Sequence, residues 1–370
     1  MKIPSFAATA LVVVLVFYLL NAGEALLLPL VIAIVLWYLI NTLSATFARI
    51  NLAGIHFPAP LCLAASFLTF LLLIWALINF LGGSVNGVME VIPTYQANLT
   101  TRFENLPLVV VSTFQDQSLT DGFNLPAFAT SVAASFASIL ASGGLILIYI
   151  LFLFLEQGNF DRKIVALFSA SGSEQDVRKI IERVRNDIQK YISIKMFTSS
   201  LTGVLSYIFL RIVEVDFAGV WGLLIFLLNF IPTVGSIIAT IFPATIALAQ
   251  SDGYTLFLLV LAGIGVLQIC IGNILEPRLM GNSFNLSPIV ILLNLGLWSY
   301  IWGITGMFLC VPFLIIITII LSHFPQTRPI AIILSSDGRL RVPADETVEN
   351  FIFKPTSSAL LSTDAESDKE

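Results

Sequence analysis

Long runs without a charged residue dominate the chain, and short polar stretches separate them. Because an ionised side chain near the bilayer centre costs roughly 2.5 to 3.5 kcal/mol on insertion scales, such runs are typical of membrane helices. A crossing needs about 20 residues, so most of the runs are long enough for one helix each. The uncharged runs are 3–23, 25–48, 50–89, 122–155, 217–251, 253–275 and 279–327.

Two of these runs, 217–251 and 279–327, are too long for a single membrane helix and contain proline and glycine in their interiors. Proline interrupts the hydrogen-bond ladder of a helix, and membranes tolerate this where protein or water satisfies the freed backbone groups. Each run is therefore predicted to form either two membrane helices or a re-entrant hairpin. The interior residues are Pro232, Gly235 and Pro243 in the first run, and Pro288, Gly303, Gly306 and Pro312 in the second.

The pattern predicts an all-α, polytopic integral membrane protein with about eight membrane helices, some of them broken or re-entrant. Polar stretches mark the boundaries between its parts. The predicted parts are membrane helices one to three (1–84), an extracytoplasmic helical cap (85–135), membrane helix four (136–157), a cytoplasmic amphipathic helical segment (158–190), membrane helices five to eight with broken or re-entrant hairpins (191–325) and a partly disordered cytoplasmic tail (326–370).

Composition supports the membrane interpretation and excludes some partners. Charged residues make up 11% of the chain, against about 25% in typical soluble domains, while hydrophobic residues reach 57% and the mean hydropathy is +0.95. The net charge of −5 is diluted over an apolar chain and indicates no particular ligand. Nucleic acid is not a predicted partner, because no basic stripe is present to neutralise phosphates.

The distribution of lysine and arginine predicts the orientation, since cytoplasmic loops of membrane proteins carry an excess of both. Eight of these residues lie between positions 158 and 195, which places that segment in the cytoplasm. Lys2 and Arg49 place the N-terminus and the loop after the second run on the same side, and Arg328 does so for the tail. Both termini are therefore predicted to be cytoplasmic, and the segment 85–135 extracytoplasmic.

Polar side chains coincide with helix breakers in two stretches of the apolar region, 229–235 and 273–281. Broken helices of this kind expose backbone polar groups and form solute sites in many transporters. For the first stretch, which has no charge, a buried break is favoured. The second is either a break or an interhelix turn at the membrane surface, with Glu276 and Arg278 pairing with each other or with a neighbouring segment.

The two stretches are predicted to meet beside a polar route for a small solute. The solute would exchange its water contacts for Asn229, Thr233 and Asn273, and movement about the glycine and proline breaks would alternate access. The residues predicted to line or gate this route are Asn229, Pro232, Thr233, Gly235, Gln268, Asn273, Glu276, Pro277, Arg278 and Gly281.

Three functional classes fit a polytopic membrane protein. Export of a small polar molecule fits a membrane core that offers amides, hydroxyls and aromatic faces but few charges. A sodium(lithium)/proton antiporter is the alternative, with Glu276 as the best candidate for a titrating carboxylate. An intramembrane enzyme fits worst, because the chain has only His56 and His323 and no HExxH or GxSxG motif. No catalytic residue, metal or cofactor is predicted.

The same two stretches resemble the signature motifs of the autoinducer-2 exporter family, also called the PerM-like permease family. The motifs are Asn229-x-Ile231-Pro232-x-Val234-Gly235 and Asn273-x-x-Glu276-Pro277-Arg278-Leu279-Met280-Gly281. The resemblance implies a bacterial inner-membrane protein that works as a homo-oligomer such as a pentamer and exports a small polyhydroxylated quorum-sensing signal. Similar motifs occur in relatives linked to sodium/proton exchange, so the antiporter alternative stays open at this point.

Overall fold

The computed structural model describes residues 3–49, 58–104, 141–169, 174–281, 285–324 and 326–338, and nearly all of these are helical. The all-α prediction is confirmed for them. The elements are α1 (Ile3–Ala22), α2 (Glu24–Arg49), α3 (Ala59–Glu104), α4 (Gly143–Ser169), α5 (Glu174–Ile212), α6 (Ala218–Leu228), α7 (Val234–Gln250), α8 (Thr255–Gln268), a π-helical segment (Ile269–Leu275), α9 (Glu276–Met280), α10 (Pro288–His323) and α11 (Arg328–Leu334).

Within the described residues, 5 helical segments are long and apolar enough to cross a membrane, and shorter apolar helices accompany them. Large apolar side chains such as Leu72, Trp75 and Phe152 are exposed on the outer helices, as expected of surfaces that face lipid. The protein is therefore a polytopic membrane protein. The long segments are Glu24–Ala48, Ala59–Phe80, Arg178–Ile212, Thr255–Met280 and Pro288–His323, and the shorter ones are Gly143–Asn159, Ala218–Leu228 and Val234–Gln250.

Three predicted boundaries fall inside continuous helices. The helix α3 runs for 46 residues through position 84, where the third membrane helix was expected to end, and α5 runs for 39 residues through position 190. The change from polar to apolar sequence alters the surroundings of a helix without breaking its backbone hydrogen bonds, so it does not mark a helix end. Likewise α4 continues past position 157 to Ser169. Residues 105–135 of the predicted cap and 339–370 of the predicted tail lie outside the described residues.

The first long run forms a helical hairpin of α6 and α7. Its legs contain 11 and 17 residues, fewer than the about 20 that a crossing needs, so their lengths favour the re-entrant alternative. The open ends lie together, because the Gln250 side chain donates to the carbonyl of Glu214 at 2.8 Å and accepts from the backbone N–H of Asp216 at 2.9 Å. Residues 229–233 form the tip, where Thr233 has a φ of 58°.

The second long run also folds back on itself. The helix α10 is interrupted at Trp302 and Gly303, and the φ of 57° at Gly303 is a value that glycine adopts without strain. On either side of this turn, the Asn294 side chain donates to the carbonyl of Cys310 at 2.6 Å. The open ends of the hairpin are joined where the backbone N–H of Ser287 donates to the carbonyl of Leu334 at 3.0 Å.

The stretch 273–281, by contrast, is not a break. Residues Thr255–Met280 form one continuous helical rod whose turns widen into π-helical geometry over Ile269–Leu275. In the widened turn the backbone N–H of Glu276 donates five residues back, to the carbonyl of Ile271. Proline cannot donate to an α-helical ladder, and the wider turn before Pro277 lets the helix continue instead of ending. The chain leaves the helix only at Gly281, with a φ of 56°.

Candidate functional site

A cavity of about 1140 Å³ lies where the α6–α7 tip, the π-helical segment, α5 and the start of α10 meet. Polar side chains from several of these elements face it, among them Lys195, Asn229 and Gln268. Its lining residues are Tyr191, Lys195, Asn229, Ile231, Pro232, Thr233, Ser236, Ile237, Thr240, Ile241, Gly265, Gln268, Ile269, Gly272, Asn273, Glu276, Pro277, Met280, Gly281, Asn285, Leu286, Ile291, Val311, Ser336 and Asp337.

Most of the residues predicted from the sequence share this lining. They come from both motifs, so the hairpin tip and the helix that carries the second motif do meet around one space. The predicted residues that line the cavity are Asn229, Pro232, Thr233, Gln268, Asn273, Glu276, Pro277 and Gly281. Their part in binding or gating remains a prediction.

Two predicted residues lie elsewhere. Gly235 is buried behind the hairpin tip, where it contacts the α6 leg instead of the cavity. Arg278 is exposed and is absent from the lining. Because successive helical residues are rotated by about 100°, a residue two positions beyond Glu276 points to the opposite side of α9.

An ion pair joins the second motif to α5. The Lys195 ammonium donates to Oε1 of Glu276 at 2.7 Å, and the Thr198 hydroxyl donates to Oε2 at 3.2 Å. The two charged side chains are only 8% and 14% exposed. Of the two partners considered for Glu276, the structure thus selects a neighbouring segment and not Arg278.

Two amide side chains complete the polar wall. The Asn229 amide donates to the hydroxyl of Ser199 at 3.0 Å, which fixes the hairpin tip against α5. The Gln268 side chain is 7% exposed, and neither its nitrogen nor its oxygen has a hydrogen-bond partner among the described residues. An unsatisfied buried amide group costs about 1 to 3 kcal/mol, so a polar solute or water that satisfies it would be bound favourably.

One rim of the cavity is built by the chain that follows α11. Ser335 forms an isolated antiparallel bridge with Leu286, and the backbone N–H of Ser336 donates to the carbonyl of Asn285 at 3.1 Å. The Asn285 amide also donates to the Asp337 carboxylate. We name residues 335–337 the C-terminal latch, because they hold the connection between α9 and α10 at the cavity rim.

The contribution of α5 to the cavity was not predicted from the sequence. This helix presents a buried polar stripe at helical spacing to the rest of the bundle: Lys195, Thr198, Ser199, Thr202 and Ser206. Positions three and four apart share one face of a helix, so the stripe could have been found as polar residues repeating along one side of an apolar helix. Lys195 had instead been counted only among the basic residues that set the orientation.

A second polar cluster lies away from the cavity, where α3 reaches beyond its apolar portion. The Tyr95 hydroxyl donates to the Asp216 carboxylate at 2.5 Å, and the Asn98 amide donates to the carbonyl of Ala249 at 3.0 Å. Burial, together with the bond to Asp216, raises the pKa of the Tyr95 phenol above its usual value of 10.0. The cluster ties α3 to the open end of the α6–α7 hairpin.

Comparison with known proteins identifies similar chains. The sequence model of the family described as AI-2E family transporter matches residues 7–326 of this chain. The AI-2 transport protein TqsA of Escherichia coli (strain K12) is 30% identical over 318 residues, covering 84% of this chain and 89% of the relative. A provisionally named transport protein of Borreliella burgdorferi is 30% identical over 333 residues, covering 88% and 89%. Another, YhhT of Escherichia coli (strain K12), is 27% identical over 299 residues, covering 79% and 83%.

Proposed function

The chain belongs to the AI-2E family of transporters, and from that premise we propose that it exports a small, polyhydroxylated, uncharged solute such as autoinducer-2. Membrane transport, and not catalysis, is the function that the family and the named relatives share. The choice of solute is our inference. TqsA is described as an AI-2 transport protein, and the cavity described above has the chemistry to hold such a molecule.

The single observation that carries the proposal is the composition of the cavity wall. Amides from both motifs and hydroxyls from the α6–α7 hairpin surround a space of about 1140 Å³. This volume is slightly above the about 300 to 1,000 Å³ that is typical of small-molecule sites. A polyol entering this space exchanges its water contacts for Asn229, Thr233 and Asn273. Gln268 then gains the hydrogen-bond partners that it lacks among the described residues.

Access on alternate sides would come from movement of the broken elements. Among the described residues, the tip of the α6–α7 hairpin bonds to α5 through the side chains of Asn229 and Ser199. The π-helical turn beside it has a geometry that often marks functional sites. Displacement of either element changes which end of the cavity is covered.

The protein is a multi-pass protein of the bacterial inner membrane, and we propose that both of its termini face the cytoplasm. The basic residues before and within α5 support this orientation. Reporter fusions test it: a fluorescent protein joined after residue 338 should be fluorescent, and alkaline phosphatase inserted after Asp252 should be active. The reverse pattern would contradict the proposed orientation.

We further propose a homo-oligomer such as a pentamer. The resemblance to the family implies it, and the broad apolar faces of the outer helices offer surfaces for contact with copies within the bilayer. Native mass spectrometry of the protein released from detergent should give a multiple of the 40.4 kDa chain, whereas a monomer at all concentrations would contradict the proposal.

The antiporter alternative finds no support in the comparisons. The relatives named above are described as transport proteins, and none of them as an ion exchanger. In addition, Glu276 is paired with Lys195 and is not an isolated carboxylate.

The decisive experiment measures transport by the purified protein in proteoliposomes. Labelled autoinducer-2 should cross the membrane, while sodium and proton fluxes stay at the level of protein-free vesicles. If ions exchange and the labelled signal does not move, the proposed export function is wrong, although membership of the family stands.

A further inference from the structure

We propose that the Lys195–Glu276 ion pair sets the charge selectivity of the cavity, by keeping the inner part of its wall electrically neutral so that uncharged solutes are accepted and ionised ones rejected. This inference rests on the proposed function and adds residues that determine specificity. The pair links two different elements, α5 and α9, so neither charge is compensated within its own helix.

Structural stability alone does not explain why an ion pair lies at this position. Replacing a buried ion pair by apolar residues of similar volume is often neutral or stabilising, so such a pair is weak evidence for stability alone. Here both side chains line the cavity, and both are mostly shielded from water. In such surroundings the charge of each strongly affects any ion that approaches, because screening by solvent is weak.

The described part of the lining carries few other charges. Besides the pair, it contains Asp337, which is exposed at the rim and accepts a hydrogen bond from Asn285. An ionised solute that moves inward would lose its hydration and find no free counter-charge deeper in the cavity. That loss opposes the binding of anions and cations alike.

Uncharged hydroxyl groups can form hydrogen bonds with Lys195 and Glu276 without breaking the ion pair. An ammonium group has three N–H donors, and Lys195 directs one of them to Glu276. A carboxylate has about four acceptor positions, and Glu276 uses one for Lys195 and one for Thr198. Among the described residues, donors on Lys195 and acceptors on Glu276 therefore remain for a polyol, whose hydroxyl groups can both donate and accept.

The test compares three matched probes in proteoliposomes: labelled ribitol, which is uncharged, ribonate, which is anionic, and aminodeoxyribitol, which is cationic. Glu276→Gln leaves a positive charge and should raise the transport of ribonate relative to ribitol by about tenfold, equivalent to about 1.4 kcal/mol. Lys195→Met leaves a negative charge and should favour aminodeoxyribitol instead. The double variant restores neutrality and should regain the preference for ribitol.

Matched controls change the same charges outside the cavity. Asp187→Asn removes a carboxylate that pairs with Arg183 on α5, and Lys190→Met removes an exposed ammonium. Neither residue lines the cavity, so both variants should keep the wild-type order of the three probes.

A further variant covers the case in which breaking the pair prevents folding, since a lone buried charge costs about 3 to 5 kcal/mol. Asn273→Asp adds a carboxylate to the exposed part of the lining and leaves the pair intact, and it should favour aminodeoxyribitol. If folded variants keep the wild-type order of probes, the selectivity inference is wrong while export stands. If the wild type transports neither autoinducer-2 nor any of the probes, the proposed export function is wrong and so is this inference.

Discussion

Gly235 lies directly against the carbonyl oxygen of Leu228: a methyl group built on Gly235 would come within 1.8 Å of that oxygen. The α10 hairpin has the same arrangement, in which a methyl group on Gly306 would come within 2.0 Å of the carbonyl oxygen of Trp298. In both hairpins a glycine just after the turn lets the returning leg approach the backbone of the outgoing leg. The shared feature explains why glycine follows the break in each of the two long runs.

The first prediction concerns these contacts. Gly235→Ala should destabilise the protein by about 1 to 3 kcal/mol, because the added methyl group meets backbone that cannot rotate away. Thermal unfolding in detergent measures the effect. The control is Gly296→Ala, where nothing lies within 4 Å of the added atom, and there the helix should be stabilised slightly. Equal melting temperatures for the two variants would contradict the close approach.

Gln268→Leu should separate stability from transport. Removing a buried amide without partners relieves a cost of about 1 to 3 kcal/mol, so the melting temperature should not fall. Losing a hydrogen bond to the solute should raise KM about tenfold. The measurement pairs thermal unfolding with uptake of labelled autoinducer-2. Gln189→Leu, at a half-buried amide outside the cavity, serves as the control and should leave KM unchanged.

The Tyr95 contact predicts a dependence of stability on alkaline pH. The folded protein raises the pKa of this phenol above 10.0, so folding favours the protonated form. The contribution is complete below the pKa of the unfolded chain and is lost as the pH rises above it. Wild-type stability should therefore decline above about pH 10 more steeply than that of Tyr95→Phe, measured by thermal unfolding from neutral to alkaline pH. Parallel curves for the two proteins would exclude the contribution.

The C-terminal latch predicts a change in cavity access. Asp337→Ala removes the contact with Asn285 and should speed the reaction of a cysteine at position 273 with a hydrophilic thiol reagent by about twofold to fivefold. The native Cys270 is exposed and is first replaced by serine. Ser336→Ala is the control, since its described link to Asn285 runs through the backbone, and it should leave the rate unchanged.

The sequence contains strong signals for the membrane helices and for the hairpin turns. Uncharged length identifies the spans, and a proline or glycine inside a run of double length indicates where the chain turns back, as at Pro232 and Gly303. These signals are local, since each depends on the residues of one segment. Both turns could therefore be predicted, whereas the sequence left open whether each run crosses the membrane twice or re-enters it.

Contacts between two distant segments could not be predicted from the sequence. The partner of Glu276 is Lys195, 81 positions earlier in the chain, and no local pattern identifies that pairing. Pro277 was expected to mark a break or an interhelix turn because proline usually ends a helix, but a π-helical turn accommodates it. The mouth of the cavity includes Asp337, which follows α11 and reaches the site only because the α10 hairpin returns its end to its start.

The length of α3 has a mechanical consequence. A helix of 46 residues extends for roughly 70 Å, whereas the hydrocarbon layer is about 30 Å thick, so more than half of α3 stands clear of the acyl chains. In the C-terminal part of α3, Tyr95 bonds to Asp216 and Asn98 bonds to Ala249, so α3 contacts both ends of the α6–α7 hairpin. Because these two bonds join α3 to both ends of the hairpin, a displacement of this part of α3 would also displace the hairpin that lines the cavity.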